Sequence, residues 1–498
     1  MNHSTRISLF SASLVGAASA VVFLFSLVLL QLQMPMDRGT SGDTVQQPQP
    51  PAQQTDMAAT ATANALKNVV VVGGSFVGKA AAKELANILP PTHRVVLIEP
   101  HTHFHHLFAF PRFAILPSHE HKAFIPYTSL FSSSPSPSTH MILPAKVLSL
   151  TTSPKGNLLT LDRPVSYPPC APSPLTTNTN TTTTTQIPFD YLLCATGTRL
   201  SPPGNSPHDT KPLSVSFLQE FNRAIGHPAA KHVIIVGGGA VGVQMACDLK
   251  ELYPSKRVTL VHSREQLMPL YHERLSEIIK TRFAELGVET RLGMRAVIPQ
   301  GGWTLPSEEE LRGEGGWEKR VVRLVDGSAL EGDVVVQATG QRPNNEFLLA
   351  GLERDPEENL KDKVINPLNG FVRVKKTMQF ADERFSDFMF AVGDIADSGA
   401  HKAARPGSVQ AAVAARNVVR LIEGKKEEED LESIEVQPPA IHLTLGLTKN
   451  IIFRNPNTAA GQVEPTYTLK EDGEEDMGME RVWERNGIKV SGPQEYHL

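Results

Sequence analysis

Apolar and polar positions divide the chain before any motif is considered. Residues 7–36 carry no charged side chain, and residues 14–32 are densely apolar, with Val21, Val22, Phe23, Leu24 and Phe25 in one run and Leu27, Val28, Leu29 and Leu30 in the next. A bilayer span takes ~20 apolar residues, so the pattern predicts an N-terminal transmembrane helix over residues 7–33. A cleaved signal peptide is the rival reading; its apolar core is usually ~7–15 residues, and no small-x-small site follows Leu32. Translation from Met34, Met36 or Met57 would delete the segment. Arg6 and Arg38 flank it on opposite sides, so the Lys/Arg bias sets no orientation.

Residues 37–65 are rich in Gln, Pro, Thr, Ala and Gly and read as a solvated linker. Beyond them, short apolar runs of strand length alternate with helical stretches. Four tracts interrupt that rhythm: residues 132–138, 168–186, 301–320 and 424–432. They are Ser/Pro-rich, Pro/Thr/Asn-rich, Gly-and-charge-rich and charged, and are expected as surface insertions, since they bury too little to offset ordering.

The run Asn68-Val-Val-Val-Val-Gly-Gly-Ser-Phe-Val-Gly78 predicts a buried strand feeding a tight turn, followed by a helix over residues 79–88. Arg94-Val-Val-Leu-Ile-Glu99 then predicts a second strand ending in an acid, 21 residues after Gly78. This is a βαβ dinucleotide fingerprint with its ribose acid in place. Gly73 permits the turn, Gly78 lets the helix approach the strand, and the helix N-terminus offers N–H groups to a pyrophosphate. Ser75 replaces the second glycine of the motif. The pattern recurs in His232-Val-Ile-Ile-Val-Gly-Gly-Gly-Ala-Val-Gly242, with all three glycines (Gly237, Gly239, Gly242) present. A helix over residues 244–252 and the strand Arg257-Val-Thr-Leu-Val-His262 follow. Here the ribose-acid position holds His262, then Ser263 and Arg264. No carboxylate repels a 2′-phosphate, and Arg264 is a candidate to bind one.

Two such units predict two dinucleotides, one resident and one exchanging. Asp190-Tyr-Leu-Leu-Cys-Ala-Thr-Gly197 and Asp333-Val-Val-Val-Gln-Ala-Thr-Gly340 are apolar strands with the same ending, and Phe388-Met-Phe-Ala-Val-Gly-Asp394 precedes a helix expected from about Pro406. The formal charge of −4 over 498 residues leaves no basic footprint for nucleic acid. Three cysteines, Cys170, Cys194 and Cys247, without a CxxC or CxxxxC pair, exclude a zinc ribbon and a dithiol redox centre of that kind. Redox chemistry must then come from a cofactor.

These motifs in this order resemble the two-dinucleotide flavoproteins of the pyridine-nucleotide oxidoreductase family, over about residues 66–424. The resemblance implies an α/β fold of two Rossmann-like dinucleotide-binding domains, one for FAD and one for NAD(P)H, with a small C-terminal cap. The FAD-binding domain is expected in two parts, residues 66–227 and 346–424. The NAD(P)H-binding domain covers 228–345, and the C-terminal region 434–498. The FAD pyrophosphate is assigned to Gly73, Gly74, Ser75, Phe76, Val77 and Gly78, its adenosine ribose to Glu99, and its ribityl chain to Asp394. Gly237, Gly238, Gly239, Ala240, Val241 and Gly242 approach the nicotinamide dinucleotide, with Arg264 beside them. Thr196, Gly197, Gly340 and Gly393 complete the cofactor-binding set.

Phe104-His105-His106 with Arg112 close behind looks like the apoptosis-inducing-factor-like branch, and within it the ferroptosis-suppressor-like NAD(P)H:quinone oxidoreductases. Matches at Lys122-x-Phe-Ile-x-Tyr127 and at Gly393-Asp-x-Ala-Asp397 point the same way. That likeness adds Arg112 and Val147 as FAD contacts, and Gln244 and Lys402 as weak candidates for catalytic positioning. It implies a membrane-tethered oxidoreductase passing electrons from NAD(P)H through FAD to a quinone-like acceptor. The catalytic part would face the cytoplasm, with a mitochondrial membrane as the alternative. A type-II NADH dehydrogenase and a signalling flavoprotein remain open alternatives. His101, His103 and His105 share one face of an extended segment, but no further ligand group accompanies them, so packing is expected rather than a metal.

Overall fold

The computed structural model describes residues 66–168, 182–314, 316–354 and 359–498. The anchor expected over 7–33, the linker 37–65 and Cys170 lie outside the described residues. Among the described residues, no helix is long and apolar enough to cross a membrane.

Two parallel sheets form the frame. The first has the strand order Met389–Ala391, Tyr191–Cys194, Lys67–Val72, His93–Ile98, Met141–Leu143, all parallel. Counted along the chain from Lys67–Val72, its members run fifth, fourth, first, second, third. The second sheet has the order Glu289–Arg291, Arg257–Val261, His232–Val236, Val334–Gln337, again parallel. Its members run third, second, first, fourth. In both, the strand order reverses between the first and fourth strands, which opens a crevice at their carboxyl ends. The Gly-rich loops and the Ala-Thr-Gly endings all lie at those ends.

Continuous apolar runs make these strands, because parallel strands are covered on both faces. Val69, Val70, Val71, Val95, Val96 and Leu97 are fully buried in the first sheet, as are Val233, Ile234, Ile235, Val258 and Leu260 in the second. An aspartate anchors the start of each fourth strand. Asp190 accepts from the Asn68 N–H at 2.8 Å, and Asp333 from the His232 and Lys231 N–H groups at 2.8 and 2.9 Å. The repeated acid before each apolar run therefore ties the fourth strand to the first.

The helix Phe76–Ile88 starts three residues before the expected position and packs on the long helix Ala404–Ile422. Their shared face is small: Ala81 and Ala82 on one, Ala411, Ala414 and Ala415 on the other. The Pro/Thr/Asn tract is not wholly an insertion. Residues 182–186 belong to the strand Thr182–Phe189, which pairs with Asn157–Tyr167 and through it with Val147–Thr151. β-Branched threonines suit that pleated surface. The tract at 301–320 contains the short helix Glu308–Arg312, closed by a capping box between Ser307 and Glu310.

The C-terminal region is an antiparallel sheet of Ala440–Thr444, Asn450–Arg454 and Thr466–Lys470, followed by the helix Met479–Arg485. Trp483 on that helix is fully buried, and its Nε1 donates to the Lys122 carbonyl at 2.8 Å. Lys122 pairs with Asp476 at 2.8 Å, and Lys211 donates to the carbonyls of Tyr496, Leu498 and Phe124 at 2.6, 2.7 and 3.2 Å. The tail from 474 to 498 is thus fastened onto the segment 101–129.

Candidate dinucleotide sites

In the first crevice, Gly73 turns with φ +97°, and a Cβ there would lie 2.6 Å from the Ala195 carbonyl. A Cβ on Gly78 would lie 1.8 Å from the Gly73 carbonyl. Both positions therefore require glycine if the helix is to start where it does. Ser75 occupies the helix N-cap in an extended conformation without a side-chain cap bond, so the first-turn N–H groups keep no side chain over them. Glu99 is buried at the end of the second strand. It accepts from the Gly74 N–H, from the His101 N–H at 3.0 Å and from the His101 ring. Burial opposes a charge on His101, but the Glu99 carboxylate prevails and raises its pKa. The Tyr127 hydroxyl donates to the Gly74 carbonyl at 2.9 Å and fixes the loop from the other side.

Asp394 lies beside this loop. A Cβ on Gly393 would come within 3.0 Å of Val77 Cγ2, and one on Gly407 within 2.4 Å of the same atom. The long helix and the Gly393–Ile395 turn are thereby packed directly on Val77. The Gly393 N–H donates to Gln410 Oε1 at 2.8 Å, and Thr198 Oγ1 donates to Asp394 Oδ2 at 3.3 Å. Burial pushes the Asp394 carboxyl up, against the pull of Lys402. Lys402 donates to the Ala396 carbonyl and sits 4.1 Å from the centroid of the Phe371 ring.

The second crevice repeats the construction. A Cβ on Gly237 would lie 2.2 Å from the Ala338 carbonyl, and one on Gly242 would lie 1.9 Å from the Gly237 carbonyl. Gly239 differs: a Cβ there meets nothing within 4 Å, so its side of the loop is open. The Gly238 N–H donates to His262 Nδ1 at 3.0 Å, while His262 Nε2 is buried without a partner. Arg264 is exposed two residues on.

The two Ala-Thr-Gly endings meet. Thr196 Oγ1 donates to the Asn344 carbonyl at 2.7 Å, Asn344 Nδ2 returns to the Thr196 carbonyl at 2.8 Å, and Ser201 Oγ donates to the Thr339 carbonyl at 2.9 Å. Thr198–Arg199 and Arg342–Pro343 pair antiparallel, so the two chain crossings between the sheets are zipped together. Gly197 and Gly340 both take positive φ, 62° and 68°, with open space at Cβ.

Other expected residues fall elsewhere. Arg112 is 1% exposed and buried against Asp248, with Nε and Nη2 each 2.9 Å from a carboxylate oxygen. Its remaining N–H groups reach the carbonyls of Leu447, Glu474 and Gly446 at 3.1, 3.2 and 2.6 Å. All five donors are filled by protein, which leaves none for a dinucleotide. Gln244, also buried, lies on the same helix as Asp248, hydrogen-bonds it, and reaches Met477 Sδ at 3.8 Å. Val147 opens the strand Val147–Thr151 and is buried. His105 is buried between Phe110, Phe124 and His101, at centroid distances of 5.6, 5.0 and 4.1 Å. Among the described residues no group of three or more His, Cys, Asp or Glu side chains has the arrangement of a metal site. The sequence reading missed Thr198, Gln410 and Asp248. Each reaches its partner through the fold, and no local pattern marks it.

The paired crevices, the glycine cradles and the zipped crossings define a two-dinucleotide oxidoreductase. Residues 67–415 match the family model described as pyridine nucleotide-disulphide oxidoreductase, and the chain belongs to that family. Fe-regulated protein 8 of Mycosarcoma maydis is 33% identical over 440 residues, covering 86% of this chain and 96% of the relative. Ferroptosis suppressor protein 1 of Mus musculus is 25% identical over 358 residues, covering 71% of this chain and 80% of the relative. The sulfide:quinone oxidoreductase of Aquifex aeolicus shares the fold, with a TM-score of 0.57 and 16% identity over 86% of this chain and 94% of that one. The chain is an FAD-dependent NAD(P)H oxidoreductase, related at a distance to the apoptosis-inducing-factor and ferroptosis-suppressor proteins.

Proposed function

We propose that this oxidoreductase is tethered to a membrane by residues 7–33 and delivers electrons from NAD(P)H to a quinone-like acceptor. The observation that carries the choice of acceptor is the state of its thiols. Cys194 lies in the first sheet and Cys247 in the helix Ala240–Leu252; both are fully buried, and burial pushes both pKa values up. Neither is a nucleophile at neutral pH. One further cysteine cannot form a dithiol alone, so electrons leave for an acceptor other than a protein disulfide. The uncharged stretch 7–36 would hold the enzyme where lipid-soluble acceptors are.

In this reading the FAD domain comprises residues 66–227 and 346–424, and the NAD(P)H domain residues 228–345. The pieces of the first crevice fit FAD: a loop whose first and last glycines have no room for a Cβ, an uncapped helix start, and Glu99 and Asp394 at its two flanks. When bound, FAD supplies the redox chemistry, hydride in from NAD(P)H and two electrons out. The protein orients the dinucleotides and excludes water. In this reading the open side of Gly239 would take the second pyrophosphate, and His262 and Arg264, neither of them an acid, would stand at its ribose end.

The full chain, reconstituted in lipid vesicles, is assayed with NADPH, NADH and a short-chain ubiquinone, and cell fractions are separated for the full chain and for residues 58–498. Quinone-dependent oxidation, with the full chain alone in the membrane fraction, supports the proposal. A flavoprotein without turnover would favour the signalling role. Membrane attachment of the shorter chain would place the anchor elsewhere.

A further inference from the structure

Lys79 follows Gly78, one turn into the first dinucleotide helix, and is largely buried. Its ammonium sits 3.6 Å from the centroid of the Phe104 ring. Its one polar acceptor among the described residues is the amide oxygen of Asn486, and no carboxylate is paired with it. An ammonium has three N–H donors, and a buried one without a counter-charge is costly to keep. Three other buried or half-buried lysines differ. Lys122 pairs with Asp476, and Lys211 and Lys256 each donate to two or more carbonyls. Lys402 also has a single acceptor, the Ala396 carbonyl, but it feels Asp394 and Asp397, whereas Lys79 has room for another acceptor and no carboxylate facing it.

Its surroundings are aromatic. Phe76, from the dinucleotide loop itself, packs on Phe104, His106 and Phe108 at 4.9, 5.6 and 4.7 Å between centroids. Phe108 is half exposed, so the cluster runs from the loop to solvent. His106 Nδ1 is buried without a partner. The charged and titratable groups facing Lys79 are Lys83 on its own helix and His106 on the opposite segment, with Arg485 on the C-terminal helix facing His106. Burial, with Lys83 beside it, lowers the Lys79 pKa to about 7; burial lowers that of His106 to about 3, so that ring is neutral and too weak an acid to protonate the acceptor. Arg485 does not deprotonate in proteins.

Resting on the quinone reading above, we propose that Lys79 is the proton donor to the acceptor in this aromatic cluster. NAD(P)H releases a hydride, two electrons and one proton, and becomes NAD(P)+. A quinone must gain two electrons and two protons to leave as the hydroquinone. The second proton passes from the Lys79 ammonium to a quinone oxygen, forming an O–H bond as the N–H bond breaks, and solvent returns a proton to the amine. The sum is NAD(P)H + H+ + quinone → NAD(P)+ + hydroquinone. An acceptor that takes electrons without protons makes no use of the step.

The test compares a short-chain ubiquinone with ferricyanide in the full-length holoenzyme and in Lys79→Met and Lys79→Arg, alongside 13C NMR of lysine Cε in the full chain labelled with 13C-lysine. The expected results are a resonance absent from Lys79→Met that titrates between about pH 6 and 8, and a quinone-to-ferricyanide kcat ratio at least ~10-fold lower in both variants. Arginine keeps the charge and cannot donate, so it does not rescue. A Lys79 resonance titrating near 10, a quinone-to-ferricyanide ratio unaltered in Lys79→Met, or rescue by Lys79→Arg overturns the proposal. Ferricyanide reduction without quinone reduction in the unmodified protein overturns the quinone reading, and the proton donor with it.

Discussion

The Gly238 N–H donates to His262 Nδ1 at 3.0 Å, as the Gly74 N–H donates to the Glu99 carboxylate in the first crevice. Strand end and glycine loop are joined in the same way in both units, by an acid in one and an imidazole in the other. To accept at Nδ1, the neutral ring carries its proton on Nε2, a buried donor without a partner. A carboxylate at this place would repel a 2′-phosphate, and the imidazole does not. His262→Glu should therefore lower kcat/KM for NADPH relative to NADH by ~10-fold or more, about 1.4 kcal/mol. Arg264→Ala should cost NADPH alone ~1–2 kcal/mol, roughly five- to thirtyfold. Equal effects on both nucleotides would show that neither residue reads the 2′ position.

Gly239 and Gly242 separate fold from function. A Cβ at 239 meets nothing, whereas one at 242 would lie 1.9 Å from the Gly237 carbonyl. Gly239→Ala should keep the thermal midpoint of the parent and raise the KM for NAD(P)H. Gly242→Ala should lower the midpoint as well, because the helix must move away from the strand. A Gly239→Ala enzyme with an unaltered KM would mean that this loop does not approach the dinucleotide.

Arg112 joins three parts of the molecule: its own segment, Asp248 on the second dinucleotide helix, and the carbonyls of Gly446, Leu447 and Glu474 in the C-terminal region. Removing either member of a buried pair strands a charge, at a cost of about 3–5 kcal/mol. Arg112→Met or Asp248→Asn should show that loss in chemical denaturation. The double variant should recover part of it. Additive losses would deny the coupling.

Burial lowers the pKa of His105 well below its ordinary value, of His106 to about 3, and of His121 to about 4. In the unfolded chain these rings titrate near ~6.5, so unfolding takes up protons as acid is added. Their stabilising contribution is complete above that pH and is lost as pH falls toward the folded values. For His106 the loss is about 1.4 kcal/mol per pH unit below ~6.5. His101, raised by Glu99, works in the opposite sense. The thermal midpoint should fall steadily as pH drops from about 6.5 to 4.5, and Lys79, lowered by burial to about 7, should make it rise from pH 7 to 8. A midpoint unchanged down to pH 5 would contradict this balance.

The glycine loops were legible because each glycine is itself a contact: Gly78 meets Gly73, and Gly242 meets Gly237, five residues apart in the chain. The paired Asp-to-Ala-Thr-Gly strands were legible through repetition. Arg112 was not. Its partner Asp248 lies 136 residues away, inside a helix buried without a break over residues 242–249, so its pattern singles out no face. The C-terminal tail gave no signal either. One Trp among charged residues carries no period, yet Trp483 is fully buried, with Tyr496 edge-on to its ring and the Lys122 carbonyl taking its indole N–H. The threonine tract read as polar low complexity, while its β-branched residues fill a strand.

One chain carries a resident flavin and oxidises NAD(P)H through it. The most direct measurement is an anaerobic titration of the purified full chain with NADPH, followed in the visible spectrum. The expected result is a yellow protein whose flavin band is bleached by one equivalent of NADPH and restored by one equivalent of a short-chain ubiquinone. A colourless protein, or a flavin band that NADPH and NADH both leave unbleached, would contradict it.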